Sequence, residues 1–358
     1  MSKAESRIRQ RNIKSNEDAG QQAVDTVLMR NWQESVTGRG YEFGSFGEIS
    51  CKWLWFLKPQ LKQASIAKYI NVLNSYLLPA FQDRKIDEIS RCDVTAFVSE
   101  LLLSGGKKGT GLSPRTVSSI LSVLKNVFDY ASRERNIRVS DINGIPIKQP
   151  QKQIRILSRK EQEKLSQYLY ANLTPCHLGI LVCLYTGLRI GEICALQWQD
   201  ISFDDHYLYV HKAMQRVQHL DTEDKRTEVL IAKPKSDCSI RRIPLPDNLF
   251  KVLASLRKED AAFLLTGSIK RYIEPRTMQN HFRSVMNECD IPDANFHTLR
   301  HTFATRCVEL GFDVKSLSEI LGHANVNITM NRYVHPSMEL KQRNMNILDG
   351  LLPSYNLT

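Results

Sequence analysis

The residues from His297 to Tyr333 carry the side chains best suited to chemistry in this chain. His297 stands three residues before Arg300, His323 follows Gly322, and Tyr333 lies ten residues after His323. Arginine presents a planar fork of donors that matches two phosphate oxygens. Histidine donates to oxygen or carries a proton near neutral pH, and tyrosine is a potential covalent nucleophile. Gathered at one point, such groups suit work on a phosphodiester. Taken singly, each has a plainer reading. A tyrosine, one of 12 here, is most often packing, and an arginine is most often a salt-bridge partner. His297 and His301, four apart, have the spacing of a metal pair. No acidic residue or third ligand follows them at a familiar spacing, so no metal site is expected.

Helical spacing supplies the means of bringing these groups together. His297 and Arg300 share one face of a helix that runs to about Leu310 and stops at Gly311, a C-cap residue. A short helix follows Asp313, with Val314, Leu317, Ile320 and Leu321 at helical spacing. Gly322 ends it and leaves His323 on a turn, and Asn327 is placed to cap a last helix carrying Tyr333.

His297-x-x-Arg300, Leu321-Gly322-His323 and Tyr333 resemble the C-terminal signature of the tyrosine recombinase, or phage-type integrase, family. The upstream run from Tyr185 to Glu192, YTGLRIGE, matches a second cluster of that family. The family also has a lysine on a hairpin between the clusters, where Lys235 stands. The resemblance spans residues from about 45 to 340. It implies a catalytic set of Arg189, Lys235, His297, Arg300, His323 and Tyr333, with Lys233 as the alternative lysine. It favours the integrase of a mobile element such as a phage or conjugative transposon.

Composition bounds the reading. The 358 residues suit two to three domains, and 42% are hydrophobic. Lys and Arg number 49 against 38 acidic residues, a net charge of +11, with a pI near 9.2. Such a balance points to a polyanion, nucleic acid first. The 8 cysteines are scattered without a CxxC pair and read as reduced thiols of a cytoplasmic protein. No apolar run approaches the roughly 18 residues of a membrane span, and the polar N-terminus is no secretory signal.

The expected fold is multidomain and mainly α. Residues 1–44 read as an N-terminal arm or tail. Residues 45–145 read as a helical, SAM-like core-DNA-binding domain, with helices at Ser45–Leu57, from Ala64 to Pro79, and at Asp93–Leu103. A fourth begins at Ser113-Pro114, a cap followed by proline at the first helical position. By the resemblance this domain lies on DNA, so Lys62, Lys68, Arg115 and Lys125 are candidate phosphate contacts. Residues 146–157, with two prolines and three glutamines, read as an extended linker in which Lys148, Lys152 and Arg155 could touch the backbone.

Residues 158–340 read as a mixed α+β catalytic domain, opened by a capping box from Ser158 to Glu161. Arg189 falls near a helix N-terminus, where free N–H groups and the dipole favour an anion. Glu192, three residues on, orients Arg189 or a neighbouring basic group. Strands at Tyr207–Val210, Thr227–Ile231 and Ile240–Leu245 form a small antiparallel sheet, with the basic turn of Lys233 and Lys235 between the last two. Residues 341–358 are expected to dock on a neighbouring subunit.

The resemblance implies a mechanism without metal or ATP. Tyr333 attacks phosphorus, and Arg189, Arg300 and His323 hold the non-bridging oxygens. His297 takes the tyrosine proton or stabilises the same oxyanion, and Lys235 protonates the departing 5′-oxygen. The partners implied are double-stranded attachment sites, a homo-tetramer on paired sites, and accessory DNA-bending factors, in the bacterial cytoplasm at the nucleoid. Two other readings share the fold: a type IB topoisomerase-like nicking and religating enzyme, and a non-catalytic DNA-binding protein.

Overall fold

A computed structural model describes residues 42–106, 109–150, 154–218, 227–234 and 236–333, with 341, 342, 345, 346 and 348 beyond them. The expectations for the arm up to residue 41, for Lys152 and Lys235, and for docking of the tail fall outside the described residues. Two compact units are present: among the described residues the first takes in 42–150 together with 217–218 and 227–228, and the second takes in 154–216 and those from 229 onward.

The first unit is helical. Helix α1 spans Phe46–Leu57 with Ser45 as its cap, and α2 spans Gln63–Val72. The expected stop at Pro79 is not where the chain stops. A π-helical turn, Leu73–Leu77, leads directly into α3, Leu78–Phe81, with Pro79 in its first turn. Proline is tolerated there because the first N–H groups of a helix have no intrahelical acceptor. Helix α4, Arg91–Ser104, opens on a capping box in which Ser90 and Asp93 each bind the other's backbone N–H. Helix α5, Pro114–Arg135, starts at the expected Ser113 cap and ends at Asn136, whose left-handed φ of 52° closes it. Val117, Ile120, Leu121, Leu124, Val127 and Phe128 of α5 are buried against Phe46, Trp53 and Leu77. Each such side chain contributes about 1.5–3 kcal/mol.

The second unit begins at the Ser158–Glu161 capping box, where Ser158 N–H donates to Glu161 Oε2 at 2.7 Å. Helix α6 spans Arg159–Ala171, and α7 spans Pro175–Thr186. Helix α8 is the single turn and a half Ile190–Ala195, starting two residues later than the expected Leu188 because Arg189 is its cap. Strands β1 (Ile201–Ser202), β2 (Tyr207–Val210) and β5 (Arg241–Pro244) form an antiparallel sheet in the order β1-β2-β5, with Leu208 opposite both Ile201 and Ile243. Strands β3 (Ala213–Gln218) and β4 (Thr227–Ala232) pair separately. Helices α9 (Asp247–Ser255) and α10 (Pro275–Glu288) follow. Then come α11 (Phe296–Glu309), α12 (Val314–Leu321) and α13 (Val326–Tyr333). The core runs from Leu165 through α7 and the sheet to Phe282 and Leu299. Helix α13 starts two residues earlier than expected, at Val326: Asn325, not Asn327, accepts at its N-terminus, taking the Asn327 N–H at 2.8 Å. No helix among the described residues is long and apolar enough to cross a membrane.

Candidate active site

Helix α12 ends beneath the site, and its end organises it. The last carbonyls of a helix have no intrahelical donor, and the macrodipole makes them attractive to cations. Three guanidiniums meet three successive carbonyls here. Arg241 Nε donates to Ile320 O at 2.5 Å, Arg300 Nη2 to Leu321 O at 2.7 Å, and Arg189 Nη2 to Gly322 O at 3.0 Å. Gly322 turns the chain away with a left-handed φ of 65°.

Arg300, on α11, is 2% exposed. A buried guanidinium without partners would cost several kcal/mol. Its Nη1 also donates to Gly187 O at 2.8 Å, and its Nη2 reaches His323 Nε2 at 2.9 Å. Burial, and then the nearby Arg189, pulls its pKa down to about 9, which leaves it charged at neutral pH. The Gly187 carbonyl is available because α7 ends there in a left-handed turn, φ 68°.

Arginine only donates, so His323 Nε2 accepts from Arg300. The proton of the neutral ring is then on Nδ1, 2.8 Å from Thr329 Oγ1. Burial and the two arginines hold His323 well below its usual range, at about 3. The expected donor to phosphate is therefore occupied, in the free chain, as an acceptor.

Glu192 is 4% exposed and fixes two of the arginines. Arg189 Nη1 donates to its Oε1 at 2.8 Å. Arg241 Nη1 and Nη2 donate to Oε1 and Oε2 at 3.1 and 3.0 Å. Its Oε2 also caps the Arg189 backbone N–H at 2.8 Å. Burial pushes the Glu192 pKa upward, but Arg241 and Arg189 outweigh it and leave the carboxyl below its ordinary value. Arg241 was not among the expected site residues. Its signal was the strand: it shares the inward face of β5 with Ile243, and a charge at such a position needs a buried counter-charge.

Tyr333 is 5% exposed. Its ring packs with Ala304, Cys307, Leu317 and Leu321 and lies parallel to His323, 6.4 Å away. Burial raises its pKa, against the pull of Arg300 and Arg332. Its hydroxyl is 2.8 Å from Nδ1 of His301. No hydrogen bond among the described residues joins it to His297, whose ring instead stands edge-on to His301 at 4.5 Å. His297 and His301 both titrate near 4, through burial first and then their cationic neighbours. No group of three His, Cys, Asp or Glu side chains among the described residues could hold a metal ion.

The structure thus gathers Arg189, Glu192, Arg300, His323 and Tyr333, with His297 at the edge, and adds Arg241 and His301. Lys233, exposed, follows β4 directly. Arg155 is turned inward to Glu161, with its Nη1 3.1 Å from Oε2, so its guanidinium braces the start of α6. In the first unit Lys62, Lys68, Arg115 and Lys148 are exposed and Lys125 is half-buried.

Two family descriptions match the chain: the phage integrase family over residues 151–339, and the phage integrase N-terminal SAM-like domain over residues 45–102. A tyrosine recombinase XerC-like protein of Caldanaerobacter subterraneus subsp. tengcongensis is 26% identical over 333 residues, 86% of this chain and 83% of that one. The ICEBs1 integrase of Bacillus subtilis is 25% identical over 300 residues, 80% of this chain and 77% of its own. The Tn1549 transposon integrase, solved with circular intermediate DNA, superposes with a TM-score of 0.69 at 18% identity over 85% of this chain and 99% of that one. A lambda integrase tetramer on a Holliday junction gives 0.59 at 16% identity, covering 85% and 83%. At such identities the superpositions speak for the fold.

Proposed function

The chain belongs to the phage integrase family and is a tyrosine-type site-specific recombinase, and we propose that it cuts and rejoins DNA through a 3′-phosphotyrosyl link on Tyr333, integrating or excising a mobile element. The observation that carries this reading is the end of α12. There Arg189 and Arg300 are pinned on neighbouring carbonyls beside His323, with the Tyr333 ring parallel to the imidazole.

A scissile phosphate fits this cluster by charge. Donors fixed in advance stabilise the oxyanion that builds during attack and need no reorganisation at that moment. Arg189, half-exposed and anchored at one edge of its guanidinium, meets the non-bridging oxygens. Arg300 holds the floor of the site and orients His323, which donates to phosphate only once Nε2 has gained a proton, a change the phosphate's negative charge favours. Attack by Tyr333 Oη forms the Oη–P bond and breaks the bond to the 5′-oxygen. Lys235, or Lys233 in its place, protonates that oxygen. The phosphotyrosyl link conserves the bond energy, and a partner strand's 5′-hydroxyl reverses the step. All the positive charge comes from side chains, so no metal or ATP takes part. Exposed Lys62, Lys68, Arg115 and Lys148 add phosphate contacts that set register without reading sequence. The same reading includes a homo-tetramer on two attachment sites, accessory DNA-bending factors, and a cytoplasmic place at the nucleoid.

A covalent trap tests it. The full-length protein is incubated in EDTA with fragmented DNA of its source cell, denatured, and the DNA that remains attached is recovered. DNA on Tyr333, at one or two sites and lost in Tyr333→Phe, is the expected result. Adducts scattered over all sequences would indicate nicking and religation without site choice. Tight DNA binding with no adduct would indicate a fold that binds without cutting.

A further inference from the structure

We propose that His301, rather than His297, is the catalytic base that takes the proton of Tyr333, a role that rests on the reading of Tyr333 as the nucleophile.

The contact is direct: His301 Nδ1 lies 2.8 Å from the Tyr333 hydroxyl, and the two rings are 5.6 Å apart at 50°. The alternatives around the hydroxyl are already committed. Arg300 spends its donors on Gly187 O, Leu321 O and His323, and has no lone pair to offer. His323 has used both nitrogens, Nε2 on Arg300 and Nδ1 on Thr329. Tyr333 is 5% exposed, so bulk water has little access to serve instead. His297 touches His301 edge-on, and no hydrogen bond among the described residues joins it to the Tyr333 hydroxyl.

The step balances as follows. The Tyr333 Oη–H bond breaks, and the proton joins the Nδ1 lone pair, giving an imidazolium protonated on both nitrogens. The freed pair on Oη forms the bond to phosphorus. The P–O5′ bond breaks, and its pair leaves on the 5′-oxygen, which takes a proton from the lysine. In rejoining, tyrosinate departs and recovers its proton from His301.

The surroundings keep this pair idle without DNA. His297 and Arg300 on α11, and Arg332 on α13, face His301 and, with burial, hold it neutral down to about pH 4. The same burial raises the Tyr333 pKa. A phosphate among the arginines offsets the positive field that weakens the base. Proton transfer is thereby tied to occupation of the site.

The test uses full-length protein and a nicked duplex carrying the site recovered by covalent trapping. Half the duplexes carry sulfur in place of the 5′-bridging oxygen of the scissile phosphate. A thiolate leaves without a proton, so sulfur bypasses the acid but not the base. His301→Ala is expected to slow single-turnover adduct formation by about 100-fold or more, the usual range for a lost general base. Sulfur is expected to leave that defect in place, and added imidazole to restore part of the rate. His301→Gln keeps a hydrogen-bond acceptor and cannot take the proton. It is expected to bind the duplex like the parent and to remain slow. Adduct formation by His301→Ala or His301→Gln within a few-fold of the parent, or full rescue by sulfur, would overturn the proposal. Adducts still formed by Tyr333→Phe would overturn the underlying reading instead.

Discussion

Glu192 is a single carboxylate shared by two guanidiniums, one half-exposed and one 6% exposed at its side chain. Removing one member of a buried charge cluster leaves the others uncompensated, which typically costs about 3–5 kcal/mol. Glu192→Ala is therefore expected to lower the unfolding free energy of the catalytic unit, read by urea denaturation, by an amount in that range, while Arg241→Lys keeps the charge and loses the fork. Arg241→Lys is expected to bind DNA normally and to form adducts at least about tenfold more slowly, since Arg189 loses the partner that holds Glu192 in place. A normal adduct rate would separate Arg241 from the site. At this scale the motifs made legible which residues the structure gathers at the end of α12, Arg189, Arg300, His323 and Tyr333, with His297 at the edge. The sequence was silent on Arg241 and His301. Their roles depend on the partner met across 49 and 32 residues of chain, which spacing along one element does not reveal.

Two glycines decide whether the elements can close on the site. Gly187 has φ 68°, and a Cβ there would lie 2.6 Å from Phe303 Cδ1 and 2.9 Å from Leu321 Cδ2. Gly322 has φ 65°, and a Cβ there would lie 3.0 Å from the Cys238 carbonyl and 3.1 Å from Arg241. The left-handed backbone alone costs a non-glycine residue about 1–2 kcal/mol. Both alanine variants should melt earlier, Gly187→Ala the more so because its clash is with two packed side chains. Gly322→Ala should lose adduct formation out of proportion to its stability, since Arg241 must move; thermal unfolding beside single-turnover cleavage measures the two. Most elements were readable because their ends are written in short-range chemistry: Ser113 and Ser158 cap as expected, and Ser45 and Asp313, expected only at the starts of their helices, cap them too. The misreadings share a cause. Pro79 and Asn327 each satisfy a local rule for a helix boundary, but a π turn carries the chain past the first, and Asn325 pre-empts the second.

For the whole chain, charge sets both the partner and the response to conditions. With a net charge of +11, DNA affinity should fall linearly on a log–log plot against salt. Substituting Arg115 or Lys68 by Gln should reduce that slope by about one each if they meet phosphates; an unchanged slope would remove them from the interface. Acid should weaken the fold for a separate reason. The imidazoles of His301 and His323 have folded pKa values near 4 and 3, against 6.5 when free. Below about pH 6.5 the unfolded chain therefore takes up protons that the folded one refuses, and stability falls as pH drops toward those values. His297 shifts the same way, but it is more exposed than His301 or His323, so solvent screens the shift and it adds least. His301→Gln with His323→Gln should flatten the decline of the urea midpoint between pH 7.5 and 5. The helices of the first region were visible in periodicity, while strands such as Tyr207–Val210 showed in residue composition rather than in alternation. The hairpin strand β3 did not show, because Ala213–Gln218 lacks the β-branched run that marks a strand. Finally, three arginines drawn from α8, α11 and β5 share one stretch of three carbonyls, and the chain then reaches Tyr333 only eleven residues further on. Tyr333 and the arginines that the proposed mechanism sets on the phosphate are consequently read off a common ruler. A slip of that helix end by a single residue would misalign every one of them at once, so the site tolerates no partial assembly. Substitutions in it should behave as one failure repeated rather than as separate losses that add.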